Sequence, residues 1–318
     1  MPREKGMVER FYRALYRIRR IEEEIAVVYP TDKIKSPVHL SIGQEAVSVG
    51  VCEALRQDDV VFGTYRSHAL YLAKGGDLKK MIAELYGKID GCAKGKGGSM
   101  HLIDRHAGVM GASAVVGTTI PQAVGFAYAR KLQHKDTVVA SVFGDGAIDE
   151  GVFHESLNFA ALKALPMIFI CENNFYAIHT HQSLRQKLAN ICERARVYGM
   201  PAEQIPDNDA LRIYEKVSEA ITRLRGGEPG PFFFECLTYR LKEHVGPNED
   251  FHLGYRSRAE AEPWIEKDCV KRLGHKLKPD QRHKIEAEVE AEIREAFAFA
   301  EQSPFPKVAE LYTDVVEG

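Results

Sequence analysis

The stretch from Thr137 to Cys171 constrains the fold more than any other part of the chain. Thr137–Phe143 is an apolar run of strand length, and Gly144-Asp145-Gly146 interrupts it. Val152, Phe153, Leu157, Ala160, Ala161, Ala164 and Leu165 then follow helical spacing, Pro166 closes that helix, and Met167–Cys171 is a second apolar run. Strands this apolar are buried on both faces, which is the habit of parallel sheets. A strand, a helix and a strand in this order predict a right-handed crossover. A second round follows: a helix over Asp209–Arg225 capped by Asp207 or Asp209, a turn over Gly226–Pro231, and a strand over Phe232–Thr238. The fold class is therefore α/β, a mostly parallel sheet flanked by helices, and we expect one domain over 1–318. A helical N-terminal part (1–60) and a helical C-terminal part (259–318) are expected to pack on it.

Within those parts, Phe11, Leu15, Ile18, Ile21, Ile25 and Val28 mark an amphipathic helix over 7–28, for packing or a subunit contact. Residues 43–57, 77–87 and about Asp280–Glu301 also read as helices. Five glycines between Gly87 and Gly98 mark either a flexible connection or backbone pressed close to something. The polar stretch Tyr239–Arg258 reads as a long loop, and long loops in compact domains are often functional.

Several function classes fall away. Lys and Arg number 43 against 45 Asp and Glu, for a net charge of −2, so nothing points to nucleic acid. No apolar run is long enough for a transmembrane helix, so no membrane partner is expected. Six cysteines stand without a C-x-x-C pair and read as reduced thiols. Acidic residues near the N-terminus argue against a targeting peptide, and a cytoplasmic location is expected.

The chemistry gathers at two strand ends. Asp145 follows one strand and Asn174 the next; neighbouring strands lie about 4.8 Å apart. A carboxylate and an amide oxygen then converge at the carboxyl edge of the sheet, where open α/β folds bind ligands. Hard oxygen donors suit Mg²⁺, and a helix starting near Glu150 favours a diphosphate beside it. A tight turn at one strand end and an Asx turn at the other would account for the same residues. Other phosphate motifs fail: Gly97 follows Gly95-Lys96 where a Walker A loop needs Ser or Thr, and Asp149 stands where a dinucleotide fingerprint needs Gly.

Gly144-Asp145-Gly146 through Glu172-Asn173-Asn174-Phe175-Tyr176 resembles the thiamine-diphosphate motif. Leu40 with Gly43-Gln44-Glu45-Ala46, Tyr65-Arg66-Ser67-His68, Gly91–His101, Val115-Val116-Gly117 and Thr238-Tyr239-Arg240 with His244 occur with it in order over nearly the whole chain. Together they resemble the α subunit of the decarboxylating first component of 2-oxo acid dehydrogenases, of the pyruvate and acetoin dehydrogenase type. The resemblance implies the thiamine-diphosphate-binding fold and the cofactors thiamine diphosphate and Mg²⁺. It implies that Asp145 and Asn174 ligate Mg²⁺ by side-chain oxygens and Tyr176 by its carbonyl. Tyr65 and Arg66 would contact the diphosphate, Gly144, Gly146 and Ala147 would pack backbone against it, and Ala114 and Val116 would meet the aminopyrimidine. His244, with His68 as a weaker candidate, would serve near the reacting carbon. His101, His106, His179 and His181, one H-x-H pair among them, read as non-metal histidines because no carboxylate spacing accompanies them. A small 2-oxo acid or related carbonyl compound would be the substrate and a lipoyl acyltransferase the acceptor. The activating Glu and the pyrimidine site are expected from a β subunit, in a heterotetramer of two α and two β chains.

The sequence also departs from that family. Lys242 replaces the first His after Arg240, and the loop over 241–254 lacks the serines that kinases target in some animal members, so phosphoserine control there is not expected. Pro37 stands where an aromatic residue often lines the substrate pocket. These changes lie around substrate and acceptor, so a changed substrate or acceptor is expected with the cofactor chemistry kept. Two other readings stay open: a lipoyl-independent, transketolase-like carboligase that passes the carbanion to an aldehyde or ketone, and a non-catalytic homologue.

Overall fold

A computed structural model describes residues 2–314, with residues 2–5 as backbone alone. In chain order the elements are α1 (Pro2–Val28), α2 (Glu45–Ala54), β1 (Val60–Thr64), α3 (His68–Ala73), α4 (Leu78–Leu85), β2 (Val109–Ser113), α5 (Thr119–Leu132), β3 (Val139–Gly144), α6 (Gly151–Leu162) and β4 (Met167–Asn173). They continue as β5 (Tyr176–Ala177), β6 (Thr180–His181), α7 (Cys192–Arg196), β7 (Ala202–Ile205), α8 (Ala210–Arg225), β8 (Phe232–Leu237), α9 (Arg258–Glu266), α10 (Cys269–Gly274) and α11 (Pro279–Gln302).

Six strands form one sheet in the order β2-β1-β3-β4-β8-β7, with every neighbouring pair parallel. The apolar runs explain why. Along β4, Ile168 and Ile170 enter one hydrophobic cluster, while Met167, Phe169 and Cys171 enter the other. Helices α5 and α6 cover the second face; α1, α2, α8 and α11 cover the first. The α2–α8 contact is so close that a Cβ on Gly50 would lie 2.7 Å from the Cβ of Ile213. Among the described residues, no helix is long and apolar enough to cross a membrane.

The expected crossover is present as β3, α6 and β4, with a short 3-10 turn over Asp145–Asp149 ahead of the helix. Asp209, not Asp207, caps α8: its carboxylate accepts the N–H groups of Leu211 and Arg212. The strands β1, β2 and β7 carry no sequence signal of comparable strength. β2 and β7 are the sheet edges, so their side chains are only half-buried and their sequences lack an apolar run.

Phe11, Leu15, Ile18, Ile21 and Ile25 of the α1 stripe are buried as its spacing predicts, and Val28 is half-buried. The half-exposed polar side of α1 is tied to a neighbouring helix. Arg13 pairs with Glu288, Arg17 with Glu292 and Arg20 with Glu290, all on α11. A buried cluster ties α1 to the body of the fold: Arg19 grips Glu45 at 2.5 Å and Asp268 at 2.7 Å.

The glycine-rich stretch is backbone pressed against a carboxylate. Glu84, fully buried on α4, accepts N–H bonds from Ala93 (2.8 Å), Gly95 (2.9 Å), Gly97 (2.7 Å) and Gly98 (3.0 Å). A Cβ on Gly91 would lie 2.3 Å from that carboxylate, and Gly95 and Gly98 hold positive φ. Glu84→Ala would strand these donors. It should cost roughly 4 kcal/mol, about 1 kcal/mol for each of the four donors, the low end because the segment is half-buried and water can reach it. Urea unfolding measures this; a loss below about 1 kcal/mol would show that the glycine segment holds itself together.

Candidate active site

Four adjacent strands end at one cavity of about 330 Å³. Tyr65 and Arg66 come from the end of β1, and Ser113 and Val115–Gly117 from the end of β2. Gly144–Ala147, Asp149 and Glu150 follow β3, and Glu172, Asn174 and Tyr176–Ile178 come from the end of β4. Gln44, ahead of α2, and His244, from the long loop, close the wall. The register of β3 against β4 pairs Gly144 with Glu172, which sets Asp145 beside Asn174. A larger groove of about 1130 Å³ lies between α1, α8 and Lys276–Lys278. It shares no lining residue with the strand-end cavity and is mostly apolar, so volume does not identify the reactive site here.

Asp145 is buried, and burial pushes its carboxyl up while the Arg185 guanidinium and nearby backbone N–H groups pull it down. Arg185 donates to Asp145 and to Asp149 at once. Asn174 forms the Asx turn foreseen as the alternative, accepting the Tyr176 N–H at 3.1 Å, and it lines the cavity as well. Its amide nitrogen donates to Gln44 Oε1 at 2.9 Å. Asn173 faces elsewhere: it donates to Glu235 at 2.7 Å and to Gln182 at 3.0 Å. Gly146 is pressed against the β5–β6 hairpin, where a Cβ would lie 3.0 Å from that of Ala177.

Arg66 supplies the cation of the opposite wall. It is held by Leu40 O at 2.7 Å and His244 O at 3.1 Å. Burial, then the neighbouring Arg240, lowers its pKa to about 10, so it stays charged at neutral pH.

Residues 13–309 match the Dehydrogenase E1 component family. The chain is 39% identical over 309 residues to the alpha subunit of an acetoin:2,6-dichlorophenolindophenol oxidoreductase of Bacillus subtilis, covering 96% of this chain and 92% of the relative. It is 36% identical to the pyruvate dehydrogenase E1 component subunit alpha of Rhizobium meliloti, covering 96% and 88%. A Cupriavidus necator acetoin oxidoreductase alpha subunit is 35% identical, covering 99% and 96%. The chain belongs to the dehydrogenase E1 component family. It is an alpha-type subunit of oxidoreductase enzymes, with the α/β fold described above.

In this E1 chain the expected site residues do not all meet. Tyr65, Arg66, Val116, Gly144, Asp145, Gly146, Ala147, Asn174, Tyr176 and His244 line the cavity. Ala114 sits between lining residues Ser113 and Val115 without lining it. His68 is a correction to the expected pocket: its ring is fully buried away from the cavity. Glu22 holds its Nδ1 and Ser99 its Nε2, each at 2.7 Å, because Glu22 and Ser99 reach the start of α3 from α1 and the glycine segment.

Sequence reasoning missed His39, Gln44, Glu172 and Arg185. His39 lies tilted 4.4 Å from Tyr65 and edge-on 5.1 Å from His244, between ring centroids, and its buried Nδ1 has no hydrogen-bond partner among the described residues. Glu172 lines the cavity, and burial pushes its carboxyl up to about 7 against the pull of Arg66. Gln44 had a signal within the Gly43–Ala46 motif, and Glu172 within the Glu172–Tyr176 motif; Arg185 follows no motif in the chain.

Burial, with Arg66 next in weight, lowers His39 to about 2 and His244 to about 3. Both rings are therefore neutral when folded and take up protons when unfolded, near pH 6.5. Their contribution to stability is whole above pH 6.5 and drains away as the pH falls from there toward 3. Thermal unfolding between pH 8 and 5 should show the melting temperature falling in the acid half. The His39→Asn, His244→Asn pair should flatten that slope; an unchanged slope would mean that both rings are charged in the fold.

Proposed function

We propose that this E1 alpha-type chain binds thiamine diphosphate and Mg²⁺ in the strand-end cavity. There it serves the decarboxylation of a small 2-oxo acid, or the cleavage of acetoin. The observation that carries this is one cavity holding only hard oxygen donors on one wall and a buried guanidinium on the other. Among the described residues no group of three or more His, Cys, Asp or Glu forms a metal site. A set made of one carboxylate, one amide oxygen and one carbonyl fits Mg²⁺, which takes its remaining ligands from phosphate and water. A Cβ on Gly144 would meet nothing closer than 4.0 Å, so this glycine leaves its wall open for a diphosphate, while Gly146 lets the turn pack on Ala177.

In this reading Asp145, Asn174 and the Tyr176 carbonyl hold the metal. Arg66 suits two phosphate oxygens because its guanidinium is a planar fork. Tyr65 and the backbone of Gly144, Gly146 and Ala147 complete the diphosphate seat, and Ala114 and Val116 offer backbone to the aminopyrimidine. Held by these residues, thiamine diphosphate would supply the nucleophilic carbon and the electron sink that decarboxylation of a 2-oxo acid needs. His244 acts as a neutral ring. Arg66 Nη2 lies 3.4 Å from its Nδ1. That cation favours the lone pair on Nδ1, which leaves the proton on Nε2, where it can donate a hydrogen bond to a substrate oxygen. His68, walled off, has no part in this reading.

Val115 and Val116 stand exposed at the cavity mouth. We assign that opening to a β subunit, which would bring the activating Glu and the pyrimidine site, in an assembly of two α and two β chains. A lipoyl acyltransferase would take the acyl group, and the cytoplasm would be the setting. The relatives carry dehydrogenase and oxidoreductase names, which favours this over lipoyl-independent carboligation.

Asp145→Ala should abolish Mg²⁺-dependent thiamine diphosphate binding in calorimetry while circular dichroism stays unchanged; retained affinity would remove the site assignment. The chain without its β partner should turn over 2-oxo acids or acetoin at under about a hundredth of the rate of the complex, because the barrier-lowering Glu is absent. Dye reduction with 2,6-dichlorophenolindophenol would measure this and rank acetoin against pyruvate. Full activity of the chain alone would refute the shared site.

A further inference from the structure

The carboxylate assigned to the metal already holds a cation of this chain. Arg185 lies on the segment between β6 and α7, and its guanidinium spans Asp145 on one arm and Asp149 on the other. The Asp145 side chain is 2% exposed, that of Asp149 34%, so the two arms sit at different depths. Gln186 fastens the same turn: its Nε2 donates to Asp145 O and Asp149 Oδ1, both at 3.1 Å. Gln182 N–H donates to Phe175 O at 2.7 Å, which ties the segment back to the hairpin beyond Asn174.

A buried carboxylate without a counter-charge is costly, and Arg185 removes that cost. A divalent ion on the same carboxylate would face the guanidinium at close range, and two cations on one carboxylate repel. Asp149 gives the guanidinium somewhere to stay: it can leave Asp145 and keep its second arm.

We propose that Arg185 is a tethered counter-cation that closes the metal seat and is displaced from Asp145 when Mg²⁺ loads, which couples loading to release of the segment around residues 182–190. It is a positioning residue, not a catalytic one. Loading is then an exchange of one cation for another. Metal affinity is set by competition with a side chain as well as by the ligands.

This rests on the metal-site reading above, and the test separates the two. The chain is purified with its β partner, and Mn²⁺ is titrated as a spin probe in the presence of thiamine diphosphate. If the seat is closed about nine-tenths of the time, Arg185→Gln should tighten apparent Mn²⁺ affinity by about tenfold, since affinity scales with the competent fraction. Lys187→Gln, which removes an exposed charge from the same segment, should leave affinity unchanged. In the unmutated complex, Mg²⁺ with thiamine diphosphate should speed amide hydrogen exchange over residues 182–190, a readout that needs no variant to fold. Weaker or equal Mn²⁺ affinity in Arg185→Gln would overturn the displacement, and so would slower or unchanged exchange on loading. An equal gain in Lys187→Gln would reduce the effect to general electrostatics and overturn it as well. An unmutated complex that binds no Mn²⁺ would overturn the metal-site reading itself.

Discussion

Parallel pairing of β3 with β4 is the contact on which the cavity depends. Parallel strands put all their carboxyl ends at one edge, and the crossover helix between them must start at that edge. Gly144 opposite Glu172 is therefore enough to bring Asp145 and Asn174 together, although a whole helix separates them in sequence. The outer strands extend the same logic: β1 delivers Tyr65 and Arg66, and β2 delivers Val115–Gly117.

Charge is placed at the edges of this frame with unusual economy. Several buried carboxylates have a basic side chain against them: Glu45 and Asp268 share Arg19, Asp59 has Arg225, Asp250 has Arg240 and Arg256, and Glu22 has His68. The long loop after β8 is held by the Asp250 group, to which Tyr255 also donates. That explains how a polar stretch can present His244 at a fixed place. Arg240 reaches further, to Ile178 O at 3.2 Å, and joins this loop to the hairpin at the cavity mouth.

What could be read from sequence follows from how locally each feature is encoded. β3, β4 and β8 are legible because burial on both faces forces an apolar run. α1 and α11 are legible because one face alone is buried. Asp145 and Asn174 are legible because a strand end followed by a turn is a local pattern. His68 misled because its motif neighbours, Tyr65 and Arg66, do face the cavity, whereas the first turn of α3 rotates its ring into the core. Arg185 and His39 were invisible for a different reason: each acquires its setting from segments remote in sequence, and no spacing rule connects Arg185 to Asp145.

Glu84 shows what such remote settings mean for the history of a chain. The glycine segment resembles a portable loop, but its shape is stored in one acid on the preceding helix. Moved to another scaffold without that helix, the same residues would carry no instruction to fold. The two must therefore be inherited as a unit, and in a divergent relative the loss of the acid would free the glycines to drift.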